Sequence, residues 1–318
     1  MSLQAWLWKH RSPSASAPPA AASALSGSAP SESAPAVSAA SGSAPSTVDR
    51  GIRQAALGWW HRNDLSALAR LFKTDKWGSH WYTPHYQRYF HPLRRKRLNV
   101  LEIGVGGYQQ SAKGGESLRM WKAYFRHSRI VGIDAVDKTQ FREPRIDIRQ
   151  VDQTDADALT RLSNEYGGFD IVIDDGSHLN AHVIQTFQIL FPLLRPHGIY
   201  AVEDIQTAYW PSWGGGGDNP DSSMAFFKRL ADGLNHCEYP VKDYQPTYFD
   251  RHIVEIAFFH NLVVIRKGVN DEATNIPVLL KREIRLKDRR PRQTDERASG
   301  ASPSDEITSA NLPVRELR

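Results

Sequence analysis

Acidic residues lie at or near the ends of four short apolar runs of this 318-residue chain, and their placement is the feature best suited to chemistry. Glu102 lies within the run NVLEI, and Asp134 ends the run IVGID. Pairs of acids at positions 174–175 and 203–204 end the runs FDIVIDD and GIYAVED. If these runs are parallel strands of one sheet, their carboxyl ends lie around one crevice. We therefore expect these acids to share a site.

Asp175, Glu203 and Asp204 are the most informative of the acids. Three carboxylates at neighbouring strand ends repel one another unless a cation lies between them. Oxygen ligands with room for water favour Mg²⁺, or Mn²⁺. Single acids more often cap helices or pair with arginine, but two acidic pairs in equivalent places favour a metal. The sequence thus predicts Asp175, Glu203 and Asp204 as metal ligands.

His178 follows Asp175 by three residues, in the segment DDGSH. Imidazoles in general titrate near neutrality and can take a proton from a hydroxyl at little cost. A lone histidine in a loop is more often structural, but the neighbouring metal ligands favour a catalytic base here. His182, four residues further on, would lie on the same face of a helix and is expected to be a supporting or surface residue.

A glycine cluster follows the first apolar run, in NVLEIGVGGY. Gly104, Gly106 and Gly107 suit a tight turn that lets a nucleotide approach the backbone, although a buried strand with an ordinary turn is the alternative. A dinucleotide fingerprint needs glycine where this chain has Gln109, so the pattern favours S-adenosylmethionine (SAM) over NAD. Asp134, one βα unit later, either accepts hydrogen bonds from both ribose hydroxyls or caps a helix.

Alternating strands and helices predict an α/β fold, with a parallel sheet and helices on both faces. A final hairpin with a tight turn at His260 and Asn261 closes the sheet, as is typical of SAM-dependent methyltransferases. After the first run, strands are expected at 130–134, 147–152, 169–175, 198–204, 252–259 and 262–266, and helices at 51–72, 117–125, 156–166, from 179 through 194, and at 222–234.

Two segments rich in aromatic residues or glycine lie between these elements. Residues 73–90 either cover a cofactor as a lid or form a packing helix, with Thr83 as its N-cap and Pro84 in its first turn. The glycine-rich residues 210–220 are expected to be mobile and close to the site. Five aromatic residues suit stacking on sugars or packing in the core: Trp77, Trp81, Tyr209, Trp210 and Trp213.

Composition confines the expected catalytic domain to residues 51–268. The Ala/Ser/Pro-rich leader at 1–50 and the charged tail at 269–318 are expected to be disordered. The single cysteine, Cys237, fits a reducing compartment, and neither a signal peptide nor an apolar run of about 18 residues is present. We therefore expect a cytoplasmic protein with no membrane partner.

The formal charge of +5 does not by itself indicate a nucleic-acid partner, because much of the basic excess lies in the tail. Within the core, the dense basic run is LRRKRL at 93–98. Nucleic-acid binding needs clustered basic residues beside stacking aromatic residues on one face. A solvated linker is the simpler interpretation of this run, and we expect no nucleic-acid partner.

Six segments, in this order, resemble the macrolide-sugar O-methyltransferases: LEIGVGGY, GGESLRMWK, GIDAVDK, VDQTD, FDIVIDDGSH and VEDIQTAYWP. The likeness runs from about residue 74 to residue 266, and DDGSH and VEDIQT are its specific parts. It implies a Rossmann-like SAM methyltransferase fold with a mostly parallel, seven-stranded sheet. It also implies Mg²⁺-dependent transfer of a methyl group from SAM to a sugar hydroxyl of a glycosylated small molecule, and a possible homo-oligomer.

The same resemblance implies individual roles. It assigns the metal to Asp175, Glu203 and Asp204, and the general base to His178. The cofactor-binding residues that it implies are Glu102, Gly104, Gly106, Tyr108, Ser117, Asp134, Asp152 and Gln153.

Three other functions stay open at this point. A metal-independent SAM methyltransferase, or a relative similar to cephalosporin hydroxylase, would be insensitive to EDTA. A non-catalytic SAM-binding scaffold has no need of a metal cluster, so the intact acidic segments count against it. An NAD-dependent dehydrogenase is disfavoured by Gln109 and by the wide gap between Gly104 and Asp134.

Overall fold

The computed structural model describes residues 54, 56–239, 241 and 243–274. The predicted leader at 1–50 lies outside the described residues, as does the predicted tail from residue 275 onward. Within the described part, no helix is both long enough and apolar enough to cross a membrane.

Seven strands form one sheet. They are β1 (Asn99–Ile103), β2 (Arg129–Asp134), β3 (Ile146–Gln150), β4 (Phe169–Asp174), β5 (Leu194–Glu203), β6 (Ile253–Phe259) and β7 (Leu262–Lys267). Their order is β3-β2-β1-β4-β5-β7-β6. The first five strands are parallel, and β7 runs antiparallel to both β5 and β6. The predicted sheet and closing hairpin are confirmed.

Helices cover both faces of this sheet, so the central strands are apolar throughout rather than alternating. Successive residues of β1 point to opposite faces, and Val100 and Leu101 therefore belong to two different core clusters. Phe187 and Phe191 fill the cluster on one face, while Trp121 belongs to the other. Because both faces of β1 are packed, its register in the sheet is fixed. The position at which the glycine loop begins is therefore fixed as well.

Seven α-helices are described: α1 (Leu65–Phe72), α2 (Thr83–Phe90), α3 (Glu116–Tyr124), α4 (Ala156–Tyr166), α5 (Asn180–Leu193), α6 (Ser223–Gly233) and α7 (Tyr248–His252). Most predicted helices match these bounds within a residue or two. Residues 56–60 are also helical and precede α1.

Two details of the predicted helices are wrong: the continuity of the first helix and the N-cap of α2. The helix expected over 51–72 is interrupted at 61–64, because the Asp64 side chain accepts a hydrogen bond from Ala67 N (2.9 Å) and caps a new helix. The predicted N-cap Thr83 is instead the first helical residue of α2, and Tyr82 is the N-cap. The Thr83 hydroxyl bonds to Ser66 Oγ at 2.8 Å rather than capping the helix.

Several strand limits also differ from the prediction. β3 spans Ile146–Gln150, and β5 begins at Leu194 rather than at residue 198. β4 ends at Asp174, so Asp175 is the first residue of the following loop. Asp204 likewise lies one residue beyond β5. Both acids therefore lie just past the ends of their strands, at the carboxyl edge of the sheet.

Candidate active site

A buried lysine that the sequence analysis did not single out lies among the predicted acids. Lys76 Nζ is 2.8 Å from Asp175 Oδ2, 2.8 Å from Glu203 Oε2 and 3.2 Å from Glu102 Oε1. Its side chain is 0% exposed. Burial lowers the pKa of Lys76, but the charges of Asp175, Glu203 and Glu102 outweigh burial and raise the pKa well above its ordinary value. The ammonium group therefore stays charged and joins the ends of β1, β4 and β5.

Glu203 is the most enclosed of the three predicted metal ligands. Both of its carboxylate oxygens accept hydrogen bonds from Lys76 Nζ, at 2.9 and 2.8 Å, and the hydroxyl of Tyr86 donates to Oε1 at 2.7 Å. Tyr86 is itself fully buried on α2. The structure thus surrounds Glu203 with protein donors, and its role as a metal ligand stays a prediction.

Asp175, His178 and Asp204 form the open side of the site. One ligand atom from each residue lies within 4.8 Å of the other two. His178 Nε2 is 3.5 Å from Asp204 Oδ2 and 3.9 Å from Asp175 Oδ1, and all three side chains are partly exposed. Mg²⁺ typically binds proteins through one or two carboxylates and keeps several positions for water or substrate oxygens. The two aspartates fit this ion.

The neighbours of Asp204 keep it ionised. Tyr82 donates its hydroxyl to Asp204 Oδ1 at 2.7 Å, and His80 Nδ1 lies 3.5 Å from the same oxygen. Burial raises the pKa of Asp204, but His178, the Tyr82 hydrogen bond and His80 outweigh it, so the pKa lies below its ordinary value. The pKa of Asp175 is raised instead, because burial outweighs the attraction of Lys76 and His178. Asp204 therefore keeps its negative charge to a lower pH than Asp175 does.

The glycine loop packs directly on the acidic loop. Gly104 has φ +91°, and a Cβ atom there would lie 2.1 Å from the carbonyl oxygen of Asp175. This close approach requires glycine and sets the first turn of the loop beside the acids. Gly106 also has a positive φ, but a Cβ atom would meet nothing closer than 3.8 Å. Tyr108, at the end of the loop, is exposed.

Two predicted cofactor-binding acids already bond to neighbouring protein groups. Asp134 accepts hydrogen bonds from the backbone nitrogens of Val105 (3.0 Å) and Val136 (2.9 Å), which ties the end of β2 to the glycine loop. Glu102 is fully buried and accepts a 2.7 Å hydrogen bond from Ser117 Oγ. The structure thus brings Glu102 and Ser117 into contact at the end of β1, next to the glycine loop.

Asp152 and Gln153 have different surroundings. Asp152 is exposed, and its Oδ1 accepts from the backbone nitrogen and the hydroxyl of Thr154, both at 2.8 Å. Gln153 is buried; its Oε1 accepts from Ser177 N at 2.7 Å and its Nε2 donates to Thr186 Oγ1 at 3.0 Å. Gln153 therefore fastens the loop that carries His178 to α5.

The first acid of the DDGSH segment, Asp174, is buried at the end of β4. Tyr200 donates its hydroxyl to Oδ2 at 3.3 Å, and Gln153 Nε2 lies 3.4 Å from Oδ1. Burial raises the pKa of Asp174 to about 7, against the hydrogen bonds that favour its charged form. The folded protein therefore holds this proton more tightly than the unfolded chain, whose Asp pKa is about 3.9.

Replacing Asp174 with asparagine is expected to stabilise the protein at pH 8. The stability due to proton binding at Asp174 is fully present below pH about 4 and is lost as the pH rises through about 7. Asparagine keeps the shape without the charge, and the Tyr200 hydroxyl can accept from its amide. Urea unfolding at pH 5 and pH 8 should give a variant advantage that is about 2–3 kcal/mol larger at pH 8 than at pH 5. Equal pH dependence in the two proteins would contradict this assignment.

The aromatic segment at 73–90 packs against the sheet and supports the acids. Tyr82, Tyr86 and Phe90 are buried, so the packing alternative describes α2 better than a lid does. Lys76 and the two tyrosines lie about 100 or more positions from the acids that they contact. No local spacing rule links such distant residues, so these contacts could not be predicted from the sequence. Their one visible sign is a lysine that precedes an aromatic helix.

The glycine-rich residues at 210–220 lie beside the site, as predicted, but hydrogen bonds hold them in turns. Residues Pro211–Trp213 form a 3₁₀ turn, and Gly216 N donates to Ala208 O at 2.9 Å. The centroids of the Trp213 and His178 rings are 6.1 Å apart. The loop thus lies close to His178, as predicted, and its mobility stays a prediction.

Known proteins share both the sequence and the fold of this core. Over 226 residues, the chain is 48% identical to a demethylmacrocin O-methyltransferase of Streptomyces fradiae; the match covers 70% of this chain and 57% of the relative. The chain is a homologue of sugar O-methyltransferases. A mycinamicin VI 2''-O-methyltransferase of Micromonospora griseorubida is 47% identical over 226 residues, which are 70% of this chain and 56% of that protein.

Among solved structures, this homologue of sugar O-methyltransferases matches the MycE methyltransferase of the mycinamycin biosynthetic pathway, in complex with Mg, SAH and mycinamycin VI. The TM-score is 0.66 at 46% identity, over 71% of this chain and 59% of that chain. The resemblance and the methyltransferase fold predicted from the sequence are both confirmed. No protein-family model matches the chain. The chain spans somewhat more than half the length of these relatives.

Proposed function

We propose that this protein is a Mg²⁺-dependent O-methyltransferase that moves a methyl group from SAM to a sugar hydroxyl of a glycosylated small molecule. The observation that carries this proposal is the cluster of Asp175, His178 and Asp204 beside the glycine loop, at the carboxyl ends of the strands. Homology to sugar O-methyltransferases supports the reaction class. The solved relative with bound Mg and SAH supports both cofactors.

The chain's own residues would bind, orient and deprotonate the acceptor. His178 Nε2 takes the proton of the acceptor hydroxyl while the oxygen–carbon bond forms and the sulfur–carbon bond breaks, which leaves S-adenosylhomocysteine (SAH). Asp204 and Asp175 lie 3.5 and 3.9 Å from Nε2, and their negative charge stabilises the resulting imidazolium. When bound by Asp175 and Asp204, Mg²⁺ supplies Lewis-acid polarisation of the hydroxyl, and SAM supplies an already activated methyl group.

Calorimetric titration with SAH, in Mg²⁺ and again in EDTA, tests the cofactor. We expect micromolar binding in both solutions, because the glycine loop and the acids near it do not need the metal to fold. Absence of SAH binding in both would refute the methyltransferase proposal. Methyl transfer that persists in EDTA would favour a metal-independent enzyme, and binding without turnover on any glycoside would favour a scaffold.

Replacing Asp204 with asparagine is expected to weaken Mg²⁺ binding at least about tenfold while SAH affinity is kept. The variant removes the ionised carboxylate of the open side but keeps its shape, and Tyr82 can still donate to the remaining oxygen. Isothermal titration with Mg²⁺, or the electron paramagnetic resonance of bound Mn²⁺, measures the loss. Unchanged metal affinity would remove Asp204 from the ligand set.

The variant Glu203→Gln tests the third predicted ligand in the same experiment. A loss as large as that of Asp204→Asn would identify Glu203 as a direct ligand. A much smaller loss would leave Glu203 as the partner of Lys76, since Lys76 Nζ and the Tyr86 hydroxyl already bond to its carboxylate.

The remaining sequence predictions stay proposals. We retain a catalytic domain at 51–268, a cytoplasmic location and a homo-oligomer, with a glycosylated small molecule as the partner. The family's biosynthetic enzymes support the acceptor class, since one relative methylates a rhamnosyl tetracenomycin and another an olivosyl oleandolide. Light scattering of the purified chain measures the oligomeric state directly.

A further inference from the structure

We propose that Trp213 is the wall on which the acceptor's sugar ring packs, so that Trp213 selects a pyranose and holds its hydroxyl beside His178. This inference rests on the proposed function and adds a specificity-determining residue to it. It also narrows the acceptor to a sugar whose pyranose ring presents an apolar C–H face.

The position of Trp213 is the first argument. Its ring centroid lies 6.1 Å from that of His178, with an angle of 49° between the rings. His178 Nε2 is in turn 3.5 Å from Asp204 Oδ2. An acceptor hydroxyl close to these two groups therefore places the rest of its ring near the indole.

The exposure of the aromatic residues is the second argument. Trp213 is partly exposed, and the neighbouring Tyr209 and Trp210 are 47% and 46% exposed. The ring centroids of Trp210 and Trp213 are 6.4 Å apart. An exposed aromatic surface of this kind, next to a few convergent polar groups, is the usual composition of a small-molecule site.

The third argument is that Trp213 is held in place before any ligand binds. Asn180, the first residue of α5, is buried and donates its side-chain amide to Trp213 O (2.9 Å) and Thr207 O (3.1 Å). Its Oδ1 accepts from the backbone nitrogen and the hydroxyl of Ser223, at 2.6 and 2.8 Å. Asn180 thus joins the backbone of the Trp213 turn to both α5 and α6, so the turn that carries the indole is already ordered.

The indole face of Trp213 and the nearby carboxylates are chemically complementary to a sugar. The C–H groups on one face of a pyranose carry a small positive charge, and the face of an indole ring is negative. The hydroxyl groups on the sugar's edge suit the carboxylates of Asp175 and Asp204, which accept but do not donate. A flexible acyclic diol has the same hydroxyls but no ring face, so it cannot pack on the indole of Trp213.

Ligand-observed NMR titration of the complex with SAH and Mg²⁺ tests the inference. The probes are methyl α-L-rhamnopyranoside and 2,3-butanediol, each titrated into the wild type, Trp213→Ala, Trp213→Phe and Trp60→Ala. Trp60 is an exposed tryptophan before α1 and serves as the matched control. We expect Trp213→Ala to weaken rhamnoside binding about three- to tenfold, Trp213→Phe to keep most of it, and Trp60→Ala to change nothing.

The other readouts separate this inference from the proposed function. Unchanged SAH affinity and unchanged butanediol binding in Trp213→Ala would support a direct contact with the sugar ring. Equal rhamnoside affinity in Trp213→Ala and the wild type, or no rhamnoside binding by the wild type, would overturn the role of Trp213. Loss of SAH binding by the wild type would instead refute the proposed function.

Discussion

Replacing His178 with alanine is expected to lower the rate of methyl transfer about 10²- to 10⁴-fold, with SAH affinity unchanged. The imidazole is the group of the open cluster that can accept a proton and then be stabilised as a cation by two carboxylates, 3.5 and 3.9 Å away. SAH is the demethylated cofactor and does not carry the acceptor hydroxyl, so its binding does not need the base. Single-turnover methyl transfer and an SAH titration measure the two effects separately.

His182→Ala is the matched control for His178. His182 lies four residues further on in α5, and its Nδ1 bonds to Ser177 Oγ at 3.0 Å rather than to an acid. We expect less than about a tenfold loss of rate in this variant. Added imidazole should restore part of the activity of His178→Ala but not of an inactive variant with a distorted fold. Wild-type rates in His178→Ala would show that another group is the base.

Replacing Lys76 with methionine is expected to destabilise the protein by about 3–5 kcal/mol. Methionine fills much of the same volume, but it leaves Glu102, Asp175 and Glu203 without the ammonium that lies 2.8–3.2 Å from each. Buried carboxylates without a cation must take up protons or draw in water. Urea unfolding at pH 7 measures the change in the free energy of unfolding.

A second substitution shows whether charge is the cause. Lys76→Met combined with Glu203→Gln removes one of the unpaired carboxylates, so it should recover about 1–2 kcal/mol relative to Lys76→Met alone. Lys122→Met is the control on α3, because Lys122 pairs with Glu143 at 2.6 Å near the surface and should contribute less than about 1 kcal/mol. If Lys76→Met is as stable as the wild type, Lys76 is not the counter-ion of this cluster.

Only part of this site was visible in the sequence. The acids that follow β4 and β5 and the glycine loop after β1 were predicted in the correct places, because each lies within a local motif at the end of an apolar run. The helix break at Asp64 was not predicted from the sequence. The apolar pattern continues through this position, and a single capping side chain starts the new helix. Aromatic spacing alone could not decide between a lid and a packing helix for α2.

The sequence by itself determined the alternating α/β order, the closing hairpin and the acids around one edge of the sheet, because these follow from patterns within about 20 residues. Only the tertiary structure decided which of those acids are buried and which face the opening of the site. Lys76 reaches Glu203 across 127 positions and holds it on the buried side, while Asp175 and Asp204 turn with His178 toward the opening. That division depends on which side chain fills the space between three strand ends, and such long-range packing leaves no periodic signal in the chain.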